Sequence, residues 1–322
     1  MRRREFIGLI GGMAAWPIAA QAQQPRKMPR LAILLFNSPQ LEPIGPLLRG
    51  LQTLGYVDGK SIVIDYRYAE GMAERLPSLA SELVQLKPDV IFAYGGDVAP
   101  HAKRATASIP IVAMVSNDPV QSGLVASISR PGGNVTGMTL IYDDLAGKML
   151  ELLKELLPDI TRVAVLWNPD HADPEYRETQ RVAATRGLHL QPLPVRRPDD
   201  FDGAFKSAVE GRAEGLIVVS TRLLFSQRRK IIEFATSAHI PAIGNWGDWA
   251  KDGFLLTYGP NTDDAMRGVA TYVDKILKGT QPADLPIERP TRFELVINTG
   301  VAKSFGLKFP NSIFARADRV IE

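Results

Sequence analysis

Cysteine is absent from the chain. Disulfides, thiolate metal sites and cysteine nucleophiles are therefore excluded. Histidine is scarce. His101, His171, His189 and His239 are the four present, and none falls into the H-E-x-x-H arrangement of a zinc hydrolase. No G-x-G-x-x-G follows a strand-like run, no P-loop occurs, and no G-x-S-x-G marks a hydrolase elbow. Gly132-Gly133 lies between Pro131 and a strand, the wrong context for a dinucleotide. A nucleotide enzyme or a serine hydrolase is not expected, and neither a cofactor nor a metal is implied.

Positive charge is also in short supply once the N-terminus is set aside. The first 22 residues hold Arg2, Arg3, Arg4 and Glu5, so two units of the whole-chain charge of +3 belong to them. The remaining 300 residues are near +1. Nucleic-acid binding wants a clustered basic face, and the longest cluster left, Arg228-Arg229-Lys230, reads as a solvated helix face. No nucleic-acid partner is expected.

Those first residues read as an export signal. The arginines precede an apolar run from Phe6 to Ala20, and Ala20-Gln21-Ala22 is a small-x-small cleavage site. The run is short for a bilayer span. Arg3-Arg4-Glu5-Phe6-Ile7 resembles the twin-arginine motif. No cysteine follows, so a lipoprotein anchor is not expected. The mature chain is expected to be a soluble periplasmic protein and a monomer.

From residue 30 onward short apolar runs alternate with amphipathic helices. Strands are predicted at Arg30–Phe36, Ser61–Tyr68, Asp89–Tyr94, Ile109–Val115 and Val135–Leu140, with helices Leu41–Leu54, Ala73–Leu86 and Asp97–Ala107 between them. The series then restarts. Helix Asp143–Leu157 leads to strands Arg162–Trp167, Leu188–Val195, Gly215–Val219 and Ile240–Gly244, with helices Pro174–Arg186, Asp199–Val209 and Phe225–Ala238 between. Continuous apolar strands alternating with helices imply parallel sheets covered on both faces. The expected fold is α/β, with two doubly wound Rossmann-like lobes. One is assigned residues 28–140 plus about 254–284, the other 141–250 plus about 290–322. Phe293–Ile297 is read as the final strand. Three crossings, near 140, 245–253 and 284–292, would form the hinge.

In open α/β sheets ligands bind beyond the carboxyl ends of the strands. Polar and aromatic residues recur there in both lobes: Asn37, Ser38 and Gln40; Tyr94, Gly95, Gly96 and Asp97; Ser116, Asn117 and Asp118; Tyr142; then Trp167, Asn168 and Pro169; Ser220 and Thr221, followed by Arg222; Asn245 and Trp246; and Tyr258. All of these except Arg222 are candidate ligand contacts. Rings could hold an apolar ligand body, and hydroxyl and backbone donors a carboxylate. Asp118 could receive an ammonium group or cap a helix begun by Pro119. Asp143-Asp144, Asp199-Asp200 and Asp263-Asp264 stand at helix starts and read as caps rather than acid–base pairs.

Several short pieces together carry a resemblance: Leu54-Gly-Tyr-Val-Asp-Gly-Lys60, Lys87-Pro-Asp-Val90, Asp118-Pro-Val120, Arg130-Pro-Gly-Gly-Asn-Val-Thr-Gly137, Ala164-Val-Leu-Trp-Asn-Pro169, Tyr258-Gly-Pro260 and Phe293-Glu-Leu-Val-Ile-Asn298. In that order and spacing the chain resembles substrate-binding proteins of ABC importers of the tryptophan/tyrosine-uptake type. The resemblance spans nearly the whole mature chain. It implies a type I periplasmic-binding fold, a small-molecule ligand such as an amino acid or aromatic acid, ABC permease subunits as partners, and no catalysis. A ligand-sensing module that feeds a membrane receptor or kinase would use the same fold. An exported enzyme would need a base and nucleophile that the loops do not supply.

The export assignment is tested by replacing Arg3 and Arg4 together with Lys. A twin-arginine route should be blocked, whereas a general secretory signal needs only the positive charge. Undiminished periplasmic levels of the double variant would remove the twin-arginine route.

Overall fold

A computed structural model describes residues 28–42, 44–141, 145–171 and 175–322. The export segment 1–22 and Tyr142 lie outside the described residues. Two sheets organise the chain. The first contains β1 (Arg30–Leu35), β2 (Val63–Tyr68), β3 (Val90–Tyr94), β4 (Ile111–Val115) and β5 (Val135–Thr139), all parallel, in the order β2-β1-β3-β4-β5. The second contains β6 (Arg162–Trp167), β7 (His189–Pro194), β8 (Gly215–Val218), β9 (Ala242–Gly244), β10 (Leu256–Pro260), β11 (Phe293–Asn298) and β12 (Arg319–Ile321). Its order is β7-β6-β8-β9-β10-β11-β12, with β11 antiparallel to β10. The first five positions repeat the order of the other sheet. Each lobe therefore has a point where the winding reverses, between β1 and β3 and between β6 and β8, where a crevice opens at the carboxyl edge.

The central strands are buried on both faces, which is why they read as unbroken apolar runs. In β1, Leu31, Ile33 and Leu35 pack toward helices Gly45–Thr53 and Thr262–Leu277, while Ala32 and Leu34 face helices Leu76–Gln85 and Ala99–Ala105. In β6, Val163 and Val165 pack with helix Leu145–Leu156, and Ala164 and Leu166 with Phe201, Phe205 and Ile231. Pro192 and Pro194 confine β7 to an edge, since proline cannot donate to a central ladder.

Four sequence expectations change. Phe293–Asn298 is not the last strand, because Arg319–Ile321 adds in parallel beside it. The strand at Leu256–Pro260 pairs with β9 and β11 in the second sheet, so the segment from 254 does not return directly to the first lobe. The return comes at Asn261, whose side chain caps the long helix by accepting from the Asp264 N–H at 2.9 Å. Helix Thr262–Leu277 then packs on helix Gly45–Thr53 and on β4 and β5. The helix expected from Leu41 begins at Gly45, because residues up to Glu42 form a turn closed by the Ser38 carbonyl. The helix expected over Phe225–Ala238 is two helices, Arg222–Ser226 and Arg228–Ser237, parted at Gln227.

The described chain therefore changes sheet after β5, at Asn261, and between Glu288 and Phe293. The last of these starts from a strand-like segment. Glu288 donates its N–H to Gly137 and accepts from the Thr139 N–H, at 3.0 and 2.9 Å. Gly137 tolerates this edge only as glycine. Its φ is +137°, and an added Cβ would overlap the Ala113 carbonyl of β4. Gly203, by contrast, lies exposed in helix Phe201–Glu210 with open space around it. Urea unfolding should show Gly137→Ala destabilised by about 3 kcal/mol or more. Gly203→Ala should be stabilised by about 0.5–1 kcal/mol. Equal effects would contradict the backbone assignment at Gly137.

Candidate functional site

The carboxyl edges of the two sheets face each other, and one guanidinium crosses between them. Thr221 caps the short helix after β8 by accepting from the Leu224 N–H at 3.3 Å, which sets Arg222 at its first position. From there Arg222 reaches the first lobe. Its Nε donates to Asp97 Oδ2 at 2.6 Å, and its Nη2 to Asp97 Oδ1 at 2.9 Å and to the Tyr94 carbonyl at 3.2 Å. Its Nη1 is bound to Glu42. The guanidinium also lies over the Phe36 ring, 4.6 Å from the centroid.

Local chain geometry prepares this contact. Glu42 is buried with its side chain turned back, accepting from the N–H groups of Phe36 and Asn37 at 2.9 and 3.0 Å and from the Asn37 side chain at 3.2 Å. Gly95 has φ +121°, and an added Cβ there would fall on the Arg222 guanidinium and 2.6 Å from Asp97 Oδ1. Loss of water pushes the Asp97 carboxyl up to about 6 and the Arg222 guanidinium down to about 10. Arg222 is held in place by its partners rather than by solvent, while the Asp97 side chain keeps part of its surface in water. His171, in the loop after β6, hydrogen-bonds to the Ser116 backbone of the other lobe, and loss of water there lowers its imidazole below the ordinary value.

Beside this bridge the lobes enclose a cavity of about 20 Å³, room for little more than one water molecule. Ser116, Leu140 and Ile141 come from the first lobe and its exit. Leu145, Glu175, Ser220, Asn245, Trp246 and Pro260 come from the second, and Thr262 from the returning helix. The polar residues form a chain. The Trp246 indole N–H donates to Ser220 Oγ, Ser220 donates to Asn245 Oδ1, and Asn245 Nδ2 donates to Glu175 Oε2 at 3.3 Å. Admission of anything larger than a water requires the lobes to part, and the three crossings are where backbone rotation can be absorbed.

The predicted site residues divide accordingly. Ser116, Ser220, Asn245 and Trp246 meet at the cavity. Tyr94, Gly95 and Asp97 belong to the inter-lobe bridge. Gly96 leaves room for Asn117, whose side chain occupies the place a Cβ would take. Asn37 serves Glu42, and the Ser38 carbonyl closes the turn beside an exposed Gln40. Asp118 Oδ1 accepts from the Val120 and Gln121 N–H groups at 2.8 and 3.0 Å, which is the capping role. Asn168 closes a turn before the Asp170 N–H at 2.9 Å, with Pro169 inside it. Thr221 is the helix cap already described. The Trp167 ring stacks on Tyr176 at 3.8 Å. Tyr258 does not join the cavity. It stacks on Phe293 at 5.7 Å and lines a separate groove with Lys148, Glu151 and Arg186.

Sequence reasoning missed Glu42, Glu175 and Thr262, and named Arg222 only as a loop residue. Glu42 and Glu175 lie within segments read as amphipathic helices, where acids are ordinary. The signal at Arg222 was its position beyond a central strand.

Residues 38–321 match the family of ABC transporter substrate binding proteins. The chain belongs to that family. A tyrosine-binding protein from Clostridioides difficile (strain R20291) is 27% identical over 263 residues, covering 81% of this chain and 75% of its own length. Among solved structures, an ABC domain in complex with L-Trp from Streptococcus pneumonia is 23% identical, with a TM-score of 0.83 over 91% of this chain and 99% of its own. A ligand-free, open substrate-binding protein with adhesive properties from Clostridium difficile is 26% identical, with a TM-score of 0.70 over the same shares. These substrate-binding proteins share with this chain the two-lobed α/β fold of type I periplasmic-binding proteins.

Gly95→Ala should displace the Arg222 guanidinium and weaken closure by about 1–3 kcal/mol. Small-angle scattering should then give a larger radius of gyration than for the unaltered chain, with far-ultraviolet circular dichroism unchanged. An equal radius would contradict the role of Gly95.

Proposed function

We propose that this ABC transporter substrate-binding protein works outside the cytoplasm, capturing an amino acid or an aromatic organic acid between its lobes and presenting the closed complex to an ABC permease. The observation that carries the reading is the pairing of a bridge and a cavity at the carboxyl edges of both sheets. Ser116, Ser220, Asn245 and Thr262 offer hydrogen bonds, while Leu140, Ile141, Leu145 and Trp246 offer apolar surface. That mixture suits a small ligand with an apolar body and a polar head. The relation to a tyrosine-binding protein supports the same class. The higher TM-score with the L-Trp complex than with the open relative supports a closed arrangement of the lobes.

The candidate contacts are Ser116, Ser220, Asn245 and Trp246 from the sequence reading, joined by Glu175 and Thr262. Delivery requires permease subunits as partners, and the mature chain acts as a monomer whose two lobes suffice to enclose the ligand. The chain performs no catalysis in this reading. Its N-terminal segment directs it to the periplasm.

Calorimetry against aromatic amino acids, aromatic acids, branched-chain amino acids and sugars tests the reading. One-to-one binding of an amino or aromatic acid is expected, with a smaller radius of gyration at saturation. Trp246→Ala should weaken an aromatic ligand by roughly 1 kcal/mol or more. Tight binding of a sugar with no response to any carboxylate would overturn the ligand class.

A further inference from the structure

The groove beside Tyr258 measures about 620 Å³. That is the size of a small-molecule site, and far roomier than the cavity of about 20 Å³ in the cleft. Its border is basic. Lys148, Arg181, Arg186 and Arg289 line it, with Glu151 as the acid among them. That carboxylate is shared. Lys148 Nζ lies 3.2 Å from its Oε2, and Arg186 pairs with its Oε1. Arg181 pairs with Glu178, one turn earlier on its helix, at 2.8 Å. With Glu178 counted as well, four cations stand against two carboxylates. Tyr258 and Phe293, stacked at 5.7 Å, supply aromatic surface beside the charges.

The groove is built at the hinge. Leu145, just beyond the first crossing, lines both the groove and the cleft cavity. Tyr258 stands shortly before the crossing at Asn261, and Arg289 and Phe293 lie on the third crossing. The cations are carried by two different bodies. Lys148 lies on helix Leu145–Leu156, Arg181 on helix Glu175–Thr185, and Arg186 directly follows it, all in the second lobe. Arg289 instead follows Glu288, whose backbone is bonded to Gly137 and Thr139 of the first sheet at 3.0 and 2.9 Å. Rotation of the lobes therefore moves Arg289 relative to the other three cations. Guanidinium forks match the paired oxygens of phosphates and carboxylates. An anion held from both sides favours the arrangement in which both lobes present their cations to it.

We propose that this groove is a second ligand site, for a small oxyanion with two or more negative charges, and that the bound anion braces the lobes in the closed arrangement. Capture of the anion does not depend on what the cleft binds.

The test is calorimetry with pyrophosphate and with citrate at constant ionic strength, which separates a site from general screening. One-to-one binding of at least one of them is expected. Arg289→Gln and Lys148→Gln, one from each side of the groove, should each weaken it by roughly threefold to tenfold. Arg289 is exposed and Lys148 partly so, and circular dichroism should show both variants folded. Lys206→Gln, on the exposed face of helix Phe201–Glu210, removes the same charge elsewhere and should leave binding unchanged. Binding of pyrophosphate alone supports a phosphate ligand, and of citrate alone a polycarboxylate. Binding of neither would overturn the proposal. So would binding unaffected by Arg289→Gln and Lys148→Gln, which would put the anion elsewhere, or an equal loss with Lys206→Gln, which would make it general charge attraction. Without any solute, the saturating anion should lower the radius of gyration of the unaltered protein and not that of Arg289→Gln. An unchanged radius with the anion bound would overturn the brace. Failure of L-tyrosine to bind would bear on the cleft and leave these outcomes readable.

Discussion

The Arg222 guanidinium is shared between two carboxylates, one carbonyl and one aromatic ring, all on the lobe opposite its own. Much of the surrounding sequence is constrained by that reach. Glu42 must leave the helical register and turn back to the end of β1, where the Phe36 and Asn37 N–H groups orient it. Residue 95 must lack a side chain, because the guanidinium occupies the space beside its Cα. Thr221 must cap the next helix so that Arg222 projects from the first turn. Arginine suits the position because its planar fork can serve several acceptors at once.

The bridge sets the energetics of capture. Both lobes lose solvent at their edges when they meet, and the lowered Arg222 guanidinium expresses the cost of that loss. The ion pairs offset it, which leaves the ligand to supply the remaining closing free energy rather than all of it. The adjoining cavity is hydrogen-bonded through Trp246, Ser220, Asn245 and Glu175. Its polar residues are thereby pre-positioned, and less ordering is needed when a solute arrives.

The strands were legible because burial on both faces leaves a simple mark: Leu31 to Leu35 and Val163 to Leu166 are apolar without interruption. The restart of the pattern near residue 145 correctly implied two lobes. Periodicity reports burial, however, and not the sheet in which a strand is buried. Leu256–Pro260 therefore went unassigned to its neighbours β9 and β11, and the short, half-exposed Arg319–Ile321 gave no apolar signal. The site shows the same limit. Ser116, Ser220, Asn245 and Trp246 were visible from their place after strands. Glu42 and Glu175 acquire their roles from partners 180 and 70 residues away in sequence, and Tyr258 is directed elsewhere by its stacking on Phe293. Asp118 caps the local Val120 and Gln121 N–H groups.

The chain's lack of cysteine allows the central claim to be measured with two introduced labels. Ser81 and Ser237 are exposed, on helices Leu76–Gln85 of the first lobe and Arg228–Ser237 of the second. Spin labels at Ser81→Cys and Ser237→Cys report the inter-lobe distance by electron–electron double resonance. In otherwise unaltered protein with saturating L-tyrosine, the account predicts a narrow distribution at the closed separation, displaced and broadened when Arg222→Ala is added. Identical distributions with and without Arg222 would contradict the claim that this guanidinium holds the lobes together.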